Sequence, residues 1–112
     1  MELTGKEGEF VSQKVASAKQ VKHLKFRAEK LKDKDPVRSQ FFGKEKLMEL
    51  LSKPECMGLK IFYGQEENET PNLILVAANK NLKNLVGDST GLKDGGNGDY
   101  LTNGPYCPHV CN

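Results

Sequence analysis

The sequence has no tryptophan, only three cysteines and an aromatic share of 7%, so neither a large aromatic cluster nor a dense disulfide framework holds it together. Leu, Val, Ile and the five Phe must supply most of the buried area, which predicts a modest core. Long apolar runs are missing as well, since none approaches the roughly 18 residues needed to cross a bilayer. The opening Met1-Glu2-Leu3-Thr4-Gly5-Lys6 lacks the continuous apolar core of a secretory signal, so cytoplasmic residence is the expectation. Without export, the glycosylation triplet Asn68-Glu69-Thr70 has no consequence.

Catalytic patterns are also scarce. Gly95-Gly96-Asn97-Gly98 has neither the spacing nor the strand-to-helix context of a phosphate-binding loop and reads as a turn. His23 has Lys19, Arg27 and Lys30 at helical neighbour spacings and no acid to orient it as a general base. Glu66, Glu67 and Glu69 cluster in a connection without the fixed positions of a calcium loop or a hydrolytic pair. Asp88, Asp94 and Asp99 are spread through a glycine-rich stretch. No catalytic residue and no cofactor site is assigned, and enzyme activity is not the expectation.

What remains is a chain of 112 residues, the size of one small domain. Its net charge of +2 divides unevenly: residues 1–56 carry thirteen Lys or Arg against nine acids, and residues 57–112 carry four against six. Halves of +4 and −2 attract each other within one fold, without a charged partner.

Residues 1–8 read as a frayed start. From Glu9 to Lys32 there is no Pro or Gly and a high content of helix formers, which predicts a first helix. Phe10, Val21, Leu24, Ala28 and Leu31 gather on one side of it and Val11, Val15 and Phe26 on another. Two apolar stripes imply contact with more than one element or with a second copy of the chain. Asp33-Lys34-Asp35-Pro36 stops the helix, because Pro has no N–H to donate and restricts the residue before it. A second helix is expected from about Gly43 or Lys44 to Lys53-Pro54, with Leu47, Leu50 and Leu51 on its apolar side.

From Gly58 the period becomes extended. Leu59, Ile61 and Tyr63 alternate with Lys60 and Phe62, and after the polar stretch 65–71 the run Asn72 to Ala78 is apolar on both faces, as a central strand would be. An antiparallel hairpin is the economical topology. Asn79-Lys80-Asn81 reads as a tight turn, Leu82 to Val86 as a third strand or a helical turn, and Asp99-Tyr100-Leu101 as a brief edge strand. The fold class expected is therefore α+β: two N-terminal helices packed on a small antiparallel meander, followed by a glycine-rich irregular tail. A single domain over 1–112 is expected, with 1–8 and 87–112 irregular and Leu47, Leu51, Ile61 and Leu75 in one shared interior.

Two features carry chemistry. Cys107 and Cys111 form C-x3-C around His109, a set that suits zinc if Cys56 or His23 joins it, because a structural site takes four ligands. The same two cysteines suit a disulfide, which leaves Cys56 as a buried apolar-like residue. Spacing decides neither metal binding nor disulfide formation, and the reading favoured is that these residues have no cofactor role, their thiols free or merely packed. Separately, Phe10 to Lys32 holds seven Lys or Arg and only Glu29 as an acid, a density that attracts phosphates or anionic lipids. Lys19, Lys22, Lys30 and His23 overlap on the wheel, yet no recognition motif accompanies them, so nucleic acid is not the expected partner.

The blocks Phe41-Phe42-Gly43-Lys44 and Leu50 to Gly64, with Gly58-Leu59-Lys60-Ile61-Phe62-Tyr63-Gly64 at their end, followed by the strand Leu73 to Val76 and the Cys-Pro tail Cys107 to Cys111, resemble a group of small uncharacterised proteins of Bacteroidetes. The resemblance covers roughly the C-terminal two thirds and implies a coherent fold but no activity. The family tail has the form Cys-Pro-Pro-x-Cys, whereas here His109 follows Pro108.

These observations favour a noncatalytic interaction or structural module, in which the long helix or the hairpin edge meets a protein partner or a second copy. A redox-sensitive or metal-stabilised adaptor using the C-terminal cysteines is the alternative, and a weak nucleic-acid binder acting through the basic helix is another.

Overall fold

The computed structural model describes residues 2–87, 98–108 and 111. It is an α+β chain with two N-terminal helices and a small antiparallel sheet region. The elements, in chain order, are α1 (Gln13–Lys30), β1 (Ser39–Gln40), α2 (Lys44–Leu51), β2 (Gly58–Gln65), β3 (Pro71–Ala78), β4 (Tyr100–Leu101) and β5 (Tyr106–Cys107). They group into two compact units, one formed by residues 1–7 and 42–104, the other by residues 8–41 and 105–112.

The first unit is built on β3. Its sequence is apolar on both faces, and it occupies the middle of a sheet of order β2-β3-β4. The β2–β3 hairpin pairs Leu59 with Ala77, Ile61 with Leu75 and Tyr63 with Leu73, so these side chains share one face. Leu75 and Ala77 on that face join Leu50 of α2 in the core, packed round by Phe42, Leu47, Cys56, Leu59, Leu73, Leu85 and Leu101. On the opposite face Val76, fully buried, stands between Lys60 and Tyr100 in the register.

α2 begins where the sequence indicates, with Gly43 in the extended N-cap conformation, and Ser52 closes it. Its core residue is Leu50, flanked by half-buried Leu47, whereas Leu51 is 45% exposed. The apolar side is thus narrower than the three-leucine spacing suggests, since the exposed third leucine lies outside the seam. Ile61 departs in the same way at 53% exposure, because the cover of that face is centred on Leu59 and thins towards the hairpin turn.

The polar end of the hairpin is closed by hydrogen bonds. Asn72, buried in β3, donates through Nδ2 to Glu66 Oε2 at 2.6 Å and Asn103 Oδ1 at 2.7 Å. Its Oδ1 accepts from the Thr102 hydroxyl at 3.0 Å and the Asn103 backbone N–H at 3.2 Å. A buried amide satisfied on both sides ties the turn at 66–70 to the strand returning after β4. Opposite Asn72, Gly64 is required: a Cβ there would lie 2.7 Å from the Asn72 carbonyl oxygen.

The third strand of the sheet is β4, not 82–86, where Asn84 makes only an isolated bridge to Ala78. Leu82 takes a positive φ of 65°, and Asn79 Oδ1 accepts from the N–H groups of Asn81 and Lys83, so this segment is spent on the turn. Near the start of the chain the Leu3 N–H donates to the Lys80 carbonyl at 2.8 Å. Nearby, the Thr4 backbone N–H donates to Glu7, and with further backbone donors it holds that exposed carboxyl below its usual range.

The second unit contains α1, capped by Ser12, whose side chain accepts from the Val15 N–H at 3.2 Å. The helix is shorter than the propensity run Glu9 to Lys32 because the cap sets its start and Lys32, at φ 57°, turns the chain out of it. Beyond that turn the Asp33 N–H returns to the Arg27 carbonyl, and its carboxylate meets Arg27 Nε at 3.3 Å. No residue of α1 is buried. Its two apolar stripes are open instead, with Val15, Val21 and Phe26 exposed. Within the tail, Tyr106 and Cys107 form a strand where the prolines argue against one: β5 pairs antiparallel with β1, Ser39 opposite Cys107 and Gln40 opposite Tyr106.

One ion pair fastens the first unit across a large sequence distance. Lys53 Nζ meets Asp99 Oδ1 and also donates to the Leu85 carbonyl at 3.2 Å, while Asp99 Oδ2 accepts from the Gly87 N–H. Both side chains are largely withdrawn from water. Asp99→Ala strands the ammonium and the Gly87 amide, and should lower unfolding free energy by about 1–3 kcal/mol. In urea titration the midpoint falls while the slope stays constant.

Candidate functional site

Among the described residues, the cysteines at the C-terminus are where the structure brings sequence-flagged chemistry together. Cys107 and Cys111 are joined by a disulfide with a Cα–Cα distance of 4.8 Å. Cys107 is buried and Cys111 exposed, so the bond joins a sheltered residue to an open one. β5 sets the position of Cys107: its carbonyl accepts from the Arg38 N–H at 3.0 Å, and the Pro105 carbonyl accepts from the Phe41 N–H at 2.8 Å. Pro108, directly after β5, lies in a turn. A ladder of two residues on each strand is too short to be secure alone, and the covalent bond closes its open end.

Arg38 is the functional candidate that sequence reading misses. Its Nη1 lies 3.7 Å from Cys107 Sγ, and its Nη2 is held by Asp35 Oδ1 at 3.3 Å. A guanidinium beside a sulfur favours the thiolate over the thiol when the bond opens. Nothing local announces this contact, because Arg38 and Cys107 are 69 positions apart and meet only through the β1–β5 pairing.

The metal expectation fares differently. Sulfurs joined to each other are not thiolate ligands, and no group of three His, Cys, Asp or Glu side chains converges among the described residues. Cys56 belongs to the other compact unit, half-buried against its core, with Sγ 3.4 Å from the Gly58 carbonyl. It behaves as the packed, apolar-like thiol expected of an odd cysteine. His109 lies outside the described residues, as do Asp88, Asp94 and Gly95 to Asn97.

The remaining candidates stay apart. His23 is exposed on α1 among Lys19, Lys22 and Lys30, also exposed. Along the same helix a shallow apolar strip at Val15, Ala18 and Val21 is edged by Lys14, Lys22 and Lys25. Glu66 is engaged with Asn72, whereas Glu67 and Glu69 point to solvent in the hairpin turn. Asp99 serves the ion pair with Lys53. Among the described residues no helix is long and apolar enough to cross a membrane.

Comparison with protein-family models, with curated proteins and with solved structures gives no match to this chain.

The energetic weight of the clasp follows from its length. Closing a loop with a sequence separation of 4 restricts the unfolded chain only slightly, so the bond contributes about 2 kcal/mol. Replacing both Cys107 and Cys111 by Ser should therefore open the β1–β5 ladder without unfolding the β2-β3-β4 sheet. Hydrogen exchange tests this directly: the Arg38 and Phe41 amides lose protection, and the Val76 amide keeps its own.

Proposed function

We propose that this chain is a noncatalytic interaction module whose C-terminal Cys107–Cys111 pair acts as a redox-sensitive clasp. The observation that carries the reading is the asymmetry of the disulfide, with Cys111 open to solvent and Cys107 sheltered beside Arg38. A cellular thiolate attacks the accessible Cys111 sulfur, the S–S bond breaks, and Cys107 departs as a thiolate next to the guanidinium. A second thiol then resolves the mixed disulfide, so two thiols are oxidised to one disulfide as the protein pair becomes a dithiol. The leaving thiolate is the better stabilised of the two, which directs attack to the exposed end.

The consequence of opening lies in β5. Without the bond only its short ladder with β1 holds the segment, so reduction releases the strand that Arg38 and Phe41 pair with. A surface that exists in one redox state and not the other is the means of selecting a partner. The reading belongs to a cytoplasmic setting, where the thiol pool reduces accessible disulfides and spares those with potentials below about −300 mV.

Equilibration of the full chain in graded glutathione buffers, with thiols counted by mass after alkylation, tests the proposal. Cys107 and Cys111 should titrate together within the cytoplasmic range while Cys56 stays reduced. A midpoint below about −300 mV means a permanent structural bond and removes the switch. Arg38→Ala should slow reduction by a small-molecule thiol roughly tenfold, about 1.4 kcal/mol of lost leaving-group stabilisation. Arg38→Lys, which keeps the charge, should recover most of the rate, and an unchanged rate in Arg38→Ala would show that the guanidinium has no role in cleavage.

A further inference from the structure

Among the described residues of the first unit, no strand pairs with the outer edge of β2. β2 stands at the end of the β2-β3-β4 sheet, and its outward backbone groups can be assigned from the turns of β3. The Asn79 N–H donates to the Lys83 carbonyl at 3.0 Å and the Leu85 N–H to the Ala77 carbonyl at 2.8 Å, flanking the Ala78–Asn84 bridge. Ala78 therefore faces β2, where its carbonyl accepts from Met57 at 2.8 Å. Alternation along the ladder turns the backbone groups of Lys60, Phe62 and Gly64 towards β3, and those of Leu59, Ile61 and Tyr63 towards the free edge.

Open edges of this kind are normally blunted by proline, by a bulge or by charge. β2 has no proline, and its pairing with β3 runs without a skip from Gly58 to Gln65. Its single charged residue, Lys60, is drawn back over the sheet, with Nζ 3.1 Å from the Leu82 carbonyl and 5.3 Å from the centre of the Phe62 ring. Beside this undefended edge Ile61 is 53% exposed and Tyr63 92% exposed.

The sequence of the strand identifies the partner. Read outward from Ile61 in both directions, Gly58-Leu59-Lys60-Ile61-Phe62-Tyr63-Gly64 sets Lys60 against Phe62, Leu59 against Tyr63 and Gly58 against Gly64. An antiparallel strand pair with a two-fold axis normal to the sheet joins residues that point to the same face, and about Ile61 it sets apolar Leu59 opposite Tyr63 and keeps Lys60 away from a second Lys60. The geometry points to a second copy of this chain, pairing β2 with β2 about Ile61 to make one continuous six-stranded sheet across two copies of the three-stranded one.

In that pairing Ile61 faces Ile61 of the other copy, and Leu59 and Tyr63 exchange backbone bonds reciprocally. The apolar face formed by Leu59, Ile61 and Tyr63 becomes continuous with its symmetry mate, which covers the side chains the single chain exposes. Each Lys60 lies opposite a Phe62, so no like charges meet directly.

Sedimentation of the full chain from the micromolar to the near-millimolar range should show a monomer–dimer equilibrium. Ile61→Lys sets two cations directly opposite each other and should weaken the dimer roughly tenfold or more. Tyr63→Lys is the second variant. Both sites are exposed in the single chain, so circular dichroism should be unchanged. The register is read by cysteine placement: Ile61→Cys puts two thiols on the axis, where a Cα–Cα distance of about 5.5 Å allows a disulfide. Gln65→Cys puts them roughly 27 Å apart at about 3.4 Å per residue and should not cross-link. Peptide mapping after mild oxidation distinguishes these bonds from the native pair. A monomer at every concentration, a dimer indifferent to Ile61→Lys, or equal cross-linking at both positions overturns the proposal.

Discussion

The need to cover both faces of β3 organises the larger unit. Val76 and Ala77 point in opposite directions and both reach zero exposure, so the strand cannot lie on a surface. β2 and β4 satisfy its backbone, α2 covers one face through Leu50, and Lys60 and Tyr100 flank Val76 on the other. β4 is only two residues long and is secured from both ends. The Lys53–Asp99 pair holds the chain before it, and Thr102 and Asn103 hold the chain after it by bonding to Asn72. Polar groups thus hold the register that an apolar contact of two residues is too small to hold.

The smaller unit follows a different logic because it has little apolar burial to work with. α1 buries no side chain, and its cations have like-charged neighbours at Lys19, Lys22 and Lys25, which repel at spacings of three residues. Its definition comes from its ends, where Ser12 supplies the cap and Arg27 meets Asp33. Further along, Pro36 is buried and a ladder of two residues meets the disulfide. Local bonds replace a core here, and local bonds respond to solution conditions more readily than packed side chains do.

The contrast explains what was legible in the sequence. The β2–β3 hairpin and the start of α2 are written in short-range patterns: an alternating run, a doubly apolar run, a polar connection between them and Gly43 before a leucine-rich turn. The helix α1 is legible as a helix, but its stripes suggest burial that the described structure does not supply, because periodicity reports which side is apolar and not whether anything covers it. The short strand β4 is legible as the brief edge strand at Asp99-Tyr100-Leu101, whereas β5 exists only through its pairing with β1, far away in sequence, so no local pattern marks it. Arg38 belongs to the same class. The cysteine pair is legible as a choice among metal, disulfide and free or packed thiols, and the bond between Cys107 and Cys111 is visible only in the structure.

The position and size of that disulfide bear on its use. A bond intended to hold a fold is most effective across a long loop, because the unfolded chain then loses the most freedom. Here the loop is among the shortest that can close, and the bond lies beyond a marginal ladder instead of across the core around Leu75. Its contribution of about 2 kcal/mol is small against a whole fold yet large against two paired residues. Opening it therefore shifts the population of one short strand by an order of magnitude or more and leaves the β2-β3-β4 sheet in place. A linkage with that reach has the energetic scale of the switch proposed for it, and Arg38 Nη1 lies 3.7 Å from its Cys107 sulfur.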